Sequence, residues 1–153
     1  MPRTWMWTWL GLLALVATTG CGFVKDGPAQ EVGRVTYEVS GGFTGWDRIL
    51  TVEADGTAQI QVVRGPSPGT TQQQVDATAL KRLHDLVRDP AFGALQREYL
   101  PTPGGADMQD YVVTVEINGK TVQTSTRDGA QPPQILRDVL GILNQILAAA
   151  ATR

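Results

Sequence analysis

DYVVTVEINGKTVQTST, residues 110–126, decides how this chain folds. Tyr111, Val113, Val115 and Ile117 recur at every second position, the period of a strand with one buried face. Asn118-Gly119 follows, and both residue types tolerate the positive φ that a two-residue hairpin turn requires. Residues 120–126 then return as a second strand. A lone hairpin is marginal in water, so its apolar face must be covered by other elements. Downstream, Pro132 and Pro133 suit the first turn of a helix, where a missing N–H is no loss. Ile135, Leu136, Val139, Leu140, Leu143, Ile146 and Leu147 fall on one face of that helix. Residues 149–153 read as a frayed tail.

Upstream, the same patterns repeat. Residues 32–39 alternate as a strand with Val35, Tyr37 and Val39 on one face. A glycine-dense turn follows, from Ser40 through Gly41, Gly42, Phe43 and Gly45. The second strand, residues 46–54, is expected to place Ile49 and Val52 in the core. Asp55-Gly56 signals a hairpin, and Ala58, Ile60 and Val62 alternate along a third strand over residues 57–64. GPSPGTTQQQV, residues 65–75, has two prolines, two glycines and no apolar period, and reads as a loop. Asp76 can cap the next helix with its carboxylate, and Leu80, Leu83, Leu86 and Val87 form its apolar stripe. Asp89-Pro90 ends it, residues 91–95 add one turn, and YLPTPGGAD, residues 99–107, is a second Pro/Gly loop. The order βββαββα predicts an α+β fold over residues 33–148: an antiparallel sheet of about five strands, with two helices packed on one face.

The N-terminus has a different character. Arg3 precedes an apolar run of 13 residues, Trp5 to Ala17, and Thr18, Thr19, Gly20 and Cys21 follow. A positive start, a short apolar stretch and small residues mark a secretory signal, here residues 1–20. The run falls short of the roughly 20 residues that span a bilayer. TTGC resembles a bacterial lipobox, which makes Cys21 the lipidated first residue of an exported lipoprotein on the cell envelope, with residues 21–32 as its tether. Cys21 is the sole cysteine, so no intramolecular disulfide can form. Two acyl signals suffice for stable membrane attachment. Removing Arg3 from 13 basic side chains leaves 12 against 15 acidic, a net charge of −3. That balance argues against nucleic acid as a partner.

Catalytic chemistry is missing from the pattern. His84 is the single histidine and lies within the first helix, whereas a zinc site needs three or four protein ligands. No G-x-S-x-G, H-E-x-x-H or phosphate-loop pattern occurs. The carboxylates are scattered, so the chain reads as a monomeric binding protein with no cofactor beyond the lipid on Cys21, and not as an enzyme.

Two blocks carry a resemblance. SGGFTGWDR, residues 40–48, resembles the opening of the emfourin family, small protein inhibitors of thermolysin-like metalloproteases. PTPGGADMQDYVVTV, residues 101–115, is similar to that family's second block, a Pro/Gly loop followed by an aspartate and an aromatic-containing strand. DATALKRLHDLVRDPAF, between the two blocks, and PPQILRDVLGIL, after them, fall in the expected order, so the resemblance covers residues 33–147. The segment 62–75 is longer than the family's usual connection. The resemblance implies an inhibitor of a thermolysin-like metalloprotease, with Ser40, Gly41, Gly42, Phe43, Gly45 and Trp46 in one contact loop and Pro103, Gly104, Gly105 and Asp107 in another. Phe43 and Trp46 are either anchors for an apolar pocket of the partner or core residues beneath a bulged turn. The alternative function is a non-inhibitory binding or scaffold lipoprotein of the envelope that reuses the fold.

Overall fold

The structure, a computed structural model, describes residues 30–43 and 45–151. The expected leader, Cys21 and most of the expected tether lie outside the described residues. Seven strands form one sheet: β1 (Val32–Gly41), β2 (Asp47–Glu53), β3 (Thr57–Arg64), β4 (Gly69–Gln74), β5 (Glu98–Tyr99), β6 (Gln109–Ile117) and β7 (Lys120–Arg127). Among the described residues three helices accompany it: α1 (Ala77–Arg88), the single turn α2 (Pro90–Gly93) and α3 (Gln134–Ala151). The strand order is β4-β3-β2-β1-β6-β7-β5, antiparallel throughout except for the short parallel pair of β5 with β7. The fold is α+β, as the alternation predicts.

Register explains which side chains are buried. Tyr37 at the centre of β1 faces Leu50 on β2 and Val113 on β6, and all three are fully buried. Val35, Val52 and Val115 make the next row; on β3, Ala58 extends that row and Ile60 extends the Tyr37 row. Leu83 and Val87 of α1, Phe92 of α2, and Leu136, Val139 and Leu143 of α3 close over this face in one cluster. Each fully buried Leu or Val contributes roughly 1.5–3 kcal/mol by leaving water. The core is built from residues 32–147, so this stretch carries its own core, the property that lets a domain fold alone. The opposite face of the sheet is polar, with the Arg34–Glu53 ion pair at 2.9 Å, the Arg127–Asp110 pair at 2.7 Å, and Gln123 donating to Thr114.

Local signals act as their chemistry requires. The Asp76 carboxylate accepts from the amides of Thr78 and Ala79 and caps α1. Asp89 ends α1 and caps α2 through Ala91. Asn118 at φ +51° and Gly119 at φ +70° form the β6–β7 turn.

Four expectations need correction. Residues 69–74, expected as loop, form the edge strand β4, which pairs along its whole length with β3. Together with the two-residue β5 this raises the sheet from five strands to seven. Ile49 lies on the outer face, because the inward phase of β2 is Arg48, Leu50 and Val52. Val32 belongs to the domain and not to the tether: it is 2% exposed and pairs with Ile117. Helix α3 continues to Ala151 through the expected frayed tail, since alanine favours helix most and Ala150 packs against the core.

Candidate functional site

The two loops that the sequence singles out meet at one end of the sheet. β1 ends beside the start of β6, with Gly41 opposite Gln109. One residue on, the Gly42 amide donates to the Met108 carbonyl at 3.0 Å, which ties the β1–β2 turn to the end of the 100–108 loop. Gly41, Gly42 and Gly45 stand at φ +81°, +72° and +61°. A β-carbon at Gly42 would lie 2.6 Å from Cγ of Gln109, so contact and backbone both call for glycine there. The turn closes with the Gly45 amide donating to the Gly42 carbonyl at 3.0 Å.

Asp47 holds the neck of this turn. Its Oδ1 accepts from the Gly41 amide at 3.3 Å, and its Oδ2 pairs with Nε of Arg64 on β3 at 3.0 Å. The turn is thereby joined to both neighbouring strands, and its apex carries Phe43. That side chain is 91% exposed. The core reading of Phe43 is therefore excluded, and a large apolar ring stands in water on a braced support. Trp46 differs. It is 39% exposed, its ring lies over the Arg48 guanidinium with 5.9 Å from Cζ to the centroid, and it neighbours Gly65 of the β3–β4 turn. Trp46 is a partly covered lining residue and not a projecting one.

The second loop forms a rim alongside. Pro103, Gly104, Gly105 and Asp107 are all exposed, and Ser40 sits half-buried opposite Asp110 on the outer face. Asp107 adopts φ +62°. The start of β6 is held by Asp128, in the β7–α3 loop. Asp128 Oδ2 accepts from the Gln109 amide at 2.9 Å, and its Oδ1 accepts from the Tyr111 hydroxyl at 2.7 Å. Sequence reasoning misses Asp128, although Asp128-Gly129 is itself a turn dipeptide, with Gly129 at φ +79°.

Beneath the loops lie two stacked phenols, Tyr37 and Tyr111, with ring centroids 6.4 Å apart. Burial pushes the Tyr111 hydroxyl up to about 12, with the bond to Asp128 adding to it. Burial raises Tyr37 further, partly offset by its bond to Asn144 on α3 at 3.0 Å. Both are uncharged structural groups near neutral pH. His84 sits half-buried on α1, an element that forms neither loop, and there desolvation and Arg88 depress its pKa. Among the described residues no three His, Cys, Asp or Glu side chains gather where a metal ion could be held. No helix among them is long and apolar enough to cross a membrane.

The arrangement offers a braced turn with one projecting aromatic, an adjacent exposed Pro/Gly rim, and, among the described residues, no cluster of reactive groups between them. No family model matches the chain, and no curated protein matches it.

Proposed function

We propose that this chain is a membrane-anchored lipoprotein of the cell envelope whose domain inhibits a thermolysin-like metalloprotease. Phe43 enters an apolar pocket of the enzyme, and the Pro103–Asp107 rim docks beside it. The observation that carries this reading is the exposure of Phe43 at 91% on a turn tied to three strands. A large apolar side chain held in water gains most by entering a partner's pocket, and aromatic anchors dominate interface energetics. Bracing matters equally, because a loop already held in one conformation loses little entropy on docking. The resemblance of residues 40–48 and 101–115 to the emfourin family names the class of partner. The lipid on Cys21 keeps the inhibitory surface at the envelope.

The test is a titration of residues 22–153 against thermolysin and related enzymes, following peptide hydrolysis. Inhibition is expected at micromolar domain or below. Phe43→Ala should weaken it by about 30-fold or more, a loss of at least ~2 kcal/mol. Its melting temperature should match that of the native domain, because an exposed side chain contributes little to folding, within about 0.5 kcal/mol. If folded domain slows none of these enzymes, the inhibitor reading fails and the non-inhibitory envelope scaffold takes its place.

A further inference from the structure

Arg48 is the one charged residue in the inward phase of β2. It pairs across β1 with Val39 and across β3 with Val62, in line with Leu50 and Val52. None of the four ion pairs among the described residues includes it. Its guanidinium lies under the Trp46 ring at 5.9 Å, and its Nε is buried with no hydrogen-bond partner among the described residues. A cation set among apolar side chains without a counter-charge is unfavourable, and an anion bound beside it relieves that cost.

A cavity of about 340 Å³ opens beside this group. Ile60 and Val62 of β3, Pro66 of the β3–β4 turn and Leu147 of α3 line it together with Trp46, and Arg48 is its single charged lining residue. The volume lies at the small end of the roughly 300–1,000 Å³ typical of ligand sites. Mainly apolar walls with a few polar groups are the usual make-up of such sites, and here the Ser67 and Thr71 hydroxyls accompany the Arg48 cation.

We propose that this cavity binds a small amphiphilic carboxylate, with its chain against Ile60, Val62 and Leu147 and its head group on Arg48. A guanidinium offers a planar fork of donors that matches a carboxylate, and one cation balances one negative charge. A neutral apolar molecule would fill the walls and leave the guanidinium without a counter-charge. This site is separate from the Phe43 apex and stands whatever partner that apex engages.

Trp46 is the only tryptophan after residue 9, so in residues 22–153 its fluorescence reports on this cavity alone. The experiment titrates octanoate into that domain and compares octan-1-ol, which has the same chain without the charge. Octanoate should give a saturable change in Trp46 emission, and octan-1-ol should bind about tenfold more weakly, since a charged partner strengthens a hydrogen bond markedly. Arg48→Met should remove the preference while leaving octan-1-ol binding in place. Octan-1-ol binding the native domain as tightly as octanoate, or no saturable response to octanoate, overturns the proposal. Both of those outcomes are read on the native domain, so they hold even if Arg48→Met folds poorly.

Discussion

Replacing Gly42 with alanine tests whether the β1–β2 turn is held as described. Gly42 stands at φ +72°, where a residue with a β-carbon is disfavoured by roughly 1–2 kcal/mol. The new carbon would lie 2.6 Å from Cγ of Gln109, so that side chain must move. Its Oε1 lies 3.0 Å from the Tyr111 hydroxyl, whose single proton goes to Asp128 at 2.7 Å, so the added cost is that of forcing Gln109 off its rotamer, about 0.5–1.5 kcal/mol. Against this, alanine restricts the unfolded chain and returns about 0.4–1 kcal/mol. The net expectation is a loss of about 0.5–3 kcal/mol. Gly104→Ala is the internal control: a β-carbon there meets nothing within 4 Å, and the loss should stay under about 0.5 kcal/mol. Urea denaturation of residues 22–153, followed by circular dichroism, measures both. If Gly42→Ala unfolds at the same urea concentration as the native domain, or Gly104→Ala loses as much, the turn is not held in this way.

Other expectations are simpler. Tyr37 and Tyr111 both have hydroxyls raised above the free value near 10, so the unfolded chain ionises first as pH rises. Their contribution to stability is constant below pH ~10 and declines from there through pH ~12, where Tyr111 ionises in the fold. Thermal melts across that range should show the decline, and Tyr111→Phe should make it shallower; an unchanged melting temperature at pH 12 refutes the pairing of these phenols with the core. Asp76→Ala removes the acceptor for two amides of α1 and should lower stability by about 0.5–2 kcal/mol, while Asp76→Asn retains most of it. Growth with a fatty-acid analogue should label the full chain and fail to label Cys21→Ser; label retained in that variant contradicts lipidation at residue 21.

The strands whose side chains enter the core are legible in the sequence, because alternation is the imprint of a half-buried sheet. Tyr111, Val113 and Val115 on β6 and Val35, Tyr37 and Val39 on β1 all lie where that period places them. β4 is illegible for the converse reason. Its GTTQQQ sequence has no apolar residue, since it sits at the sheet edge and is held by its backbone bonds to β3. The phase of β2 misleads at Ile49 because its inward face carries an arginine where alternation calls for an apolar residue. In the candidate site, the glycines and Phe43 are visible as a motif, but the two sequence readings of Phe43 differ only in where its ring points. Distance along the chain hides the rest: Gly42 with Met108 and Gln109 with Asp128 are contacts that register creates.

The edge strand β4 leaves the sheet unfinished on one side. Six residues without charge or proline, pairing among the described residues only with β3, present a row of amides and carbonyls beyond the last described strand. Many sheets guard such a margin with lysine, proline or a bulge; here the prolines, Pro66 and Pro68, stand just before the strand and not within it. For whoever handles the protein, this margin is the practical concern. Crowding domains on a surface, or concentrating them in a tube, brings glutamine-rich margins together in a chemistry suited to stacking. A lysine in place of Gln72, whose side chain points away from the helices, would seal the margin and leave the core and both loops untouched.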